Sequence, residues 1–399
     1  MVFFENLLHI YFQRKSDNLL SLPFKQLSKK MSTQISNPRI EYLDSVRGIA
    51  ALCTLLGHWV FTFEDGRAVS LRTAHFCNFF INGADAVSLF FVLSGLVLSY
   101  KYFKTEALNL NYKTFIINRL FRLYPAFWFM LVLYFLNAHS PEMHGAYWKD
   151  WFWYKNYGFL EEASLLRNHV PLFMPGWTLN VELGLSFFVP VLILVLKYRR
   201  AWFKYLLLIS IFANAYYNQF LFHFSIGVWI AAHFEAIQQF KLKQTQWYRY
   251  RWSFALMAWL LYSMRTILYF IPFDQNRVFK FVHQITQINT YYTTGIGAAM
   301  LLILVIRSER VQQILQHRIF LFYGRISYGI YLGHTYFLFG QLKYRSEMFK
   351  QALGWTDLQV FWLFGGLTLL LSTLLATFIH YAIEKPMIRY GRGIAKRYE

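Results

Sequence analysis

The sequence predicts an all-α, polytopic membrane protein: a helical bundle of about ten transmembrane helices with both termini in the cytoplasm. Composition is the first ground. Of 399 residues, 56% are hydrophobic and 21% aromatic, while only 15% are charged; a soluble domain carries about a quarter charged residues. The second ground is that apolar runs of roughly twenty residues recur from residue 45 to residue 383. The third is the uneven placement of the basic residues between the two sides that those runs define.

The predicted spans are residues 45–63, 79–100, 115–137, 176–196, 201–215, 217–234, 252–271, 290–306, 319–340 and 356–383. Each is an apolar stretch bounded by charged, Gly/Pro or Asn/Asp punctuation. The two stretches across 201–234 are short, and the break between them falls near Asn214–Gln219. With the N-terminus inside, odd-numbered connections face out. They hold Arg67, Arg72, Lys149, Lys155, Arg167, Arg265, Arg277, Lys280, Lys343, Arg345 and Lys350, so 11 of 40 basic residues lie outside and 29 inside. That is the positive-inside pattern. The net charge of +20 therefore encodes orientation, and no basic folded surface remains to bind nucleic acid.

No repeat or Gly/Ser/Pro-rich linker divides the chain, so one membrane domain over residues 39–390 is expected, followed by a basic cytoplasmic tail at 391–399. Residues 1–38 form a basic N-terminal segment without a clean apolar core. It reads as an interfacial helix, or as sequence upstream of a start at Met31, and not as a cleaved signal peptide. Cys53 and Cys77 give no disulfide framework. The outer loop at 138–175 is rich in Trp, Tyr and His; its aromatics fit an interfacial belt better than a sugar-stacking surface.

The chemistry concentrates in a few polar residues. Arg47 and His58 share the first span. Eleven helical steps make three turns plus about 20°, so both fall on one face, roughly 16 Å apart along the axis. That sets an arginine at the inner surface and an imidazole in the outer half. Ionisable groups at membrane depth are costly and point to function. Arg119 and Arg122 lie three apart near the start of the third span, where two guanidiniums beside a helix N-terminus either bind phosphate or only fix topology. Pro125 is expected to kink the helix just above.

Asp85 should face the bundle interior, since a lipid-facing carboxylate is unfavourable. Ser94 and Gly95 read as a packing surface or a polar contact. Glu182 enters from outside to about the depth of His58, so a His58–Glu182 pair is expected, either catalytic or structural. Ser327, Tyr331 and His334 occupy related faces of the ninth span, with His334 the weaker histidine candidate; His223, His233 and His380 read as structural. No HExxH, CxxC or EF-loop pattern appears, and neither Walker, dinucleotide nor Gly-x-Ser-x-Gly motifs are present. No metal site is expected.

These residues give the chain a resemblance to the membrane-bound acyltransferase family 3 over about residues 39–390. It rests on LDSVRGIAALCTLLGH, GADAVSLFFVLSG, NRLFRLYP, GWTLNVEL, FLFHFSIGVWIAA, GRISYGIYLGH and IEKPMIR, in that order. Each is short, but seven in family order are specific. Asn180–Val181 and Ser88 are mild departures. The resemblance implies an enzyme that transfers an acyl group, typically acetyl from acetyl-coenzyme A, to a hydroxyl of a cell-surface glycan or glycolipid such as lipopolysaccharide O-antigen or exopolysaccharide. It implies His58 and Glu182 as catalytic residues and Arg47, Arg119 and Arg122 as donor-binding residues. Asp44, Asp85, Ser94, Tyr331 and His334 are candidate supporting residues, with Ser94 or Tyr331 steadying oxyanion charge. Acetyl-coenzyme A is expected as a substrate, with no tightly bound cofactor, in a bacterial cytoplasmic (inner) membrane. Some relatives carry an SGNH esterase-like domain; this sequence ends at Glu399 without one, so a second acyl-handling step is expected elsewhere or not at all. The competing reading is a proton-coupled transporter or flippase of a glycan or small polar solute, which buried His, Glu and Asp residues would also suit.

Overall fold

The computed structural model describes residues 40–62, 71–83, 85–104, 110–138, 162–165, 174–214, 220–240, 249–270 and 277–398. The N-terminal segment 1–38 and nearly all of the aromatic outer loop lie outside the described residues. Among the described residues the fold is entirely helical. The unit that holds it runs from Glu41 to Glu399.

Chain order gives α1 (Glu41–Thr62), α2 (Leu71–Ile81), α3 (Ala86–Phe103), α4 (Tyr112–Ala138), α5 (Gly176–Tyr198), α6 (Arg200–Asn214), α7 (Leu221–Ala232) and α8 (Phe234–Gln239). There follow α9 (Arg251–Tyr262), α10 (Met264–Phe270), α11 (Arg277–Arg307), α12 (Glu309–Leu315), α13 (Arg318–Thr335), α14 (Lys343–Leu353), α15 (Asp357–Phe378) and α16 (Lys385–Ala395). A π-helical turn at Tyr336–Leu342 joins α13 to α14, and another at Ile379–Glu384 joins α15 to α16.

Each of the ten predicted stretches contains helix among the described residues, but six candidate spans there are long and apolar enough to cross a bilayer by length and composition: Glu41–Thr62, Phe76–Phe103, Tyr112–Tyr134, Gly176–Tyr198, Thr290–Arg307 and Asp357–Tyr398. The expected span at 217–234 holds a twelve-residue helix, α7. At about 18 Å it is too short for a hydrocarbon core of about 30 Å, and eight of its residues are buried, as in a core helix. The second and seventh stretches are not continuous either. Asn82 adopts a left-handed conformation (φ 55°) between α2 and α3, the Asn-Gly turn chemistry that ends a helix. Ser263 is a turn between α9 and α10.

Local sequence explains the clean boundaries. Thr356 and Gln359 form a reciprocal capping box at the start of α15: the Thr356 hydroxyl accepts from Gln359 N–H at 3.3 Å, and Gln359 Oε1 accepts from Thr356 N–H at 2.8 Å. Gly354, at φ 64°, ends α14.

Packing of the core depends on backbones meeting without side chains between them. α1 lies against α13, where a Cβ on Gly48 would stand 2.5 Å from Gly324 N. α3 lies against α7, where a Cβ on Gly95 would stand 2.3 Å from Phe224 O and one on Gly227 2.1 Å from Val92 O. Small residues let transmembrane helices approach in this way. The packing reading of Gly95 holds.

Candidate active site

α1 and α13 bring two histidines together. His58 Nδ1 lies 2.9 Å from His334 Nε2. The ring planes differ by 8° with centroids 5.1 Å apart, so the imidazoles meet edge to edge in nearly one plane. His334 is fully buried, and its Nδ1 is 3.1 Å from the carbonyl of Ile330.

That geometry assigns the protons. A carbonyl only accepts, so His334 Nδ1 carries hydrogen; in the neutral ring Nε2 is then a bare acceptor. His58 Nδ1 must donate to it. The free lone pair of the dyad is therefore on His58 Nε2, which is where a base would act. Phe339 presents its ring to His58 at 5.9 Å. His334, the weaker candidate from sequence, is the group that orients His58.

The expected His58–Glu182 pair is not formed. Glu182 is ion-paired with Arg119, whose Nε also donates to Ser186 Oγ at 3.0 Å, and Ser94 Oγ donates to Glu182 Oε1 at 3.1 Å. The physical reason is the choice of partner. A part-buried carboxylate gains more from a permanent guanidinium cation than from an uncharged ring.

The three arginines expected at the inner side come together. Arg47 lies within electrostatic range of Arg119, Arg122 and Glu182, and its NH1 is 3.2 Å from Asp44. Each arginine already faces a carboxylate: Arg47 with Asp44, Arg119 with Glu182, Arg122 with Glu384. Among these six side chains formal charge is balanced, three positive against three negative. A phosphate-bearing ligand would have to draw guanidinium hydrogens away from these partners.

Glu384 was missed by sequence reasoning, although it sits in the IEKPMIR motif. Its side chain is fully buried, and Oε2 is 2.9 Å from His380 Nδ1. His380, read as structural from sequence, is bonded to a carboxylate that holds Arg122. The available signal was spacing: residues 380 and 384 are one turn apart, and an acidic residue beside an apolar run needs a partner. His233 stays structural, with Nδ1 2.9 Å from the carbonyl of Trp229.

Tyr331 lies between the two centres. Its hydroxyl is 2.7 Å from Thr178 Oγ1, its ring centroid is 5.9 Å from that of His334, and it feels the charge of Glu182. Thr178 donates its own proton to the carbonyl of Pro175 at 2.8 Å, so Tyr331 must be the donor between them. With Ser94 committed to Glu182, neither expected oxyanion donor has a spare proton in this arrangement. Asp85 has its own partner. It is buried at the N-terminal end of α3 and pairs with Arg265 at 3.1 Å, as its expected inward orientation required.

The helical bundle thus carries a part-buried histidine dyad and a separate cluster of paired arginines. Residues 40–377 match the family model described as an acyltransferase domain, and the chain belongs to acyltransferase family 3. It is therefore a membrane acyltransferase. Neither the curated proteins nor the solved structures contain a match.

Proposed function

We propose that this protein is an O-acyltransferase that moves an acyl group, acetyl in the simplest case, from acetyl-coenzyme A to a hydroxyl of a cell-surface glycan or glycolipid such as lipopolysaccharide O-antigen or exopolysaccharide. It is a multi-pass protein of a bacterial inner membrane on this reading, with both termini cytoplasmic. The observation that carries the reading is the His58–His334 dyad, whose hydrogen-bond directions leave the lone pair on His58 Nε2.

The steps follow from that lone pair. His58 Nε2 takes the proton of the acceptor hydroxyl as its oxygen attacks the thioester carbonyl. The tetrahedral intermediate collapses, the carbon–sulfur bond breaks, and the departing thiolate takes the proton from His58. The products are an ester and coenzyme A thiol. His334 holds the imidazole orientation throughout. Arg47, Arg119 and Arg122 receive the donor's phosphates on the cytoplasmic side, with Glu182, Glu384 and Asp44 holding the guanidiniums in place until the donor arrives. The rise of roughly 16 Å from Arg47 to His58 along α1 is then bridged by the flexible pantetheine arm.

The test is transfer of radiolabelled acetyl from acetyl-coenzyme A to the producing cell's extracted polysaccharide by purified protein in detergent. His58→Ala should lower transfer by about 10²–10⁴-fold at unchanged membrane abundance. Transfer at the parental rate in that variant would remove His58 from the chemistry. Movement of polysaccharide across vesicle membranes without acetyl-coenzyme A would favour the transporter reading instead.

A further inference from the structure

Two helix breaks face each other on the outer side, and the reaction just proposed uses neither. Asn82 and Gly83 interrupt α2 and α3, and Ser263 interrupts α9 and α10. Asn82 Nδ2 donates to Ser263 Oγ at 2.8 Å, tying the breaks together, and Gly83 N–H donates to Asn78 Oδ1 at 3.0 Å. Irregular backbone at membrane depth persists where it is enclosed by protein or lines a polar cavity. The seam also lies beside the dyad's helix: a Cβ on Gly57, the residue before His58, would stand 2.9 Å from Gly83 Cα.

Two oxygens in this seam are buried and have no hydrogen-bond partner among the described residues, Asp85 Oδ2 and Asn82 Oδ1. Asp85 is 1% exposed and Asn82 0%. Leaving such acceptors unmatched is costly, so each calls for a donor. The surroundings restrict what that donor can be. Arg265 pairs with the other oxygen of Asp85 and lies 5.6 Å from the Tyr291 ring centroid, so a cation would meet a charge already present. An anion would meet a carboxylate and an amide oxygen. A neutral group rich in hydroxyl donors fits both acceptors, with the part-exposed guanidinium and the Tyr291 ring at its side.

We propose that this seam is the acceptor subsite, in which Asp85 Oδ2 and Asn82 Oδ1 take hydrogen bonds from sugar hydroxyls flanking the one that His58 deprotonates. The proposal deepens the transferase reading and rests on it for the identity of the acceptor. It makes the acceptor a neutral polyol, held through at least two hydroxyls on the outer side of α1.

The test uses the full chain in a sugar-free detergent, titrated with methyl β-D-glucopyranoside and followed by saturation-transfer NMR, with coenzyme A titrated separately. Asp85→Asn should weaken glucoside binding about tenfold or more, as expected for a lost hydrogen bond to a charged acceptor, and leave coenzyme A binding within about twofold. Asn82→Gly tolerates the positive φ and removes the second acceptor, so it stands in if the first variant fails to fold. Absence of saturable glucoside binding by the parental protein overturns the proposal. So does parental affinity in both variants, which would mean that the two oxygens hold ordered water. Acetyl transfer is scored independently: weakened glucoside binding without any transfer sinks the enzyme reading and keeps the site, whereas transfer with glucoside binding untouched sinks the site alone.

Discussion

At the scale of single residues, the site is a set of hydrogen-bond directions. His334 is buried on α13, which packs along α1, and its Nδ1 bond to Ile330 O turns Nε2 toward His58. Replacing His334 by Ala removes the acceptor that holds the His58 tautomer. Turnover should fall about 10²-fold, as for other groups that orient a catalytic imidazole, while the KM for acetyl-coenzyme A stays within about twofold. His334→Gln puts an acceptor oxygen near the lost Nε2 and should recover part of kcat; steady-state kinetics of both variants decides the matter. A rise in KM with unchanged kcat would make His334 a binding residue. Glu384 raises a different issue, since it is fully buried between Arg122 and His380. Glu384→Ala leaves the Arg122 guanidinium without its anion and should cost about 3 kcal/mol, near the low end for a broken buried pair because Arg122 is 27% exposed. The double change Arg122→Met with Glu384→Met should restore most of that stability in detergent melts yet leave coenzyme A binding impaired. Restored binding would show that Arg122 only balances Glu384.

At the scale of elements, the helices were legible and their interruptions were not. Hydrophobic run length marks where a helix runs, because a bilayer demands satisfied backbone hydrogen bonds. It is blind to the left-handed Asn82, to the turn at Ser263 and to the π-turns at Tyr336–Leu342 and Ile379–Glu384, each set by a few local contacts. Those interruptions carry the polar groups: Glu384 and His380 lie within one π-turn, and His334 stands just before the other. The three arginines and His58 were identifiable because helical spacing alone sorts them by depth. Their partners were not, because pairing depends on which helices lie side by side. Close approach gives the element-scale prediction. Gly95→Ala would drive a methyl to 2.3 Å from the Phe224 carbonyl oxygen, forcing α3 and α7 apart at a cost of about 1–3 kcal/mol or more. Gly184→Ala in α5 meets nothing within 4 Å and should leave the melting temperature unchanged or slightly higher, since alanine favours a helix. Equal melting curves for the two variants would mean that α3 and α7 are not packed backbone to backbone.

At the scale of the whole molecule, the open quantity is how many helical stretches cross the bilayer. Length and hydropathy mark six, and α13 is not among them. Yet α13 runs 18 residues and buries Gly324, Ile326, Ser327, Gly329, Ile330, Leu332, Gly333, His334 and Thr335. A helix sheathed by other helices need not satisfy lipid, so its glycines, Ser327 and His334 lower its hydropathy without barring it from the membrane. At about 27 Å it reaches most of the way across a hydrocarbon core of about 30 Å, and the π-turn carries the chain onward. Its orientation follows if the basic residues behind it, Arg310 and Arg318, mark the inner side. Gln316 precedes α13 and Gln351 lies in α14 beyond it, and both side chains are exposed. In a background with Cys53→Ser and Cys77→Ser, single cysteines at Gln316→Cys and Gln351→Cys should react with a membrane-impermeant maleimide from opposite faces of sealed vesicles, the first from the cytoplasmic face. Labelling of both from one face would place α13 parallel to the surface or looping back. His334 would then lie outside a spanning helix, and the arginine layer and the dyad could not be stacked across the membrane.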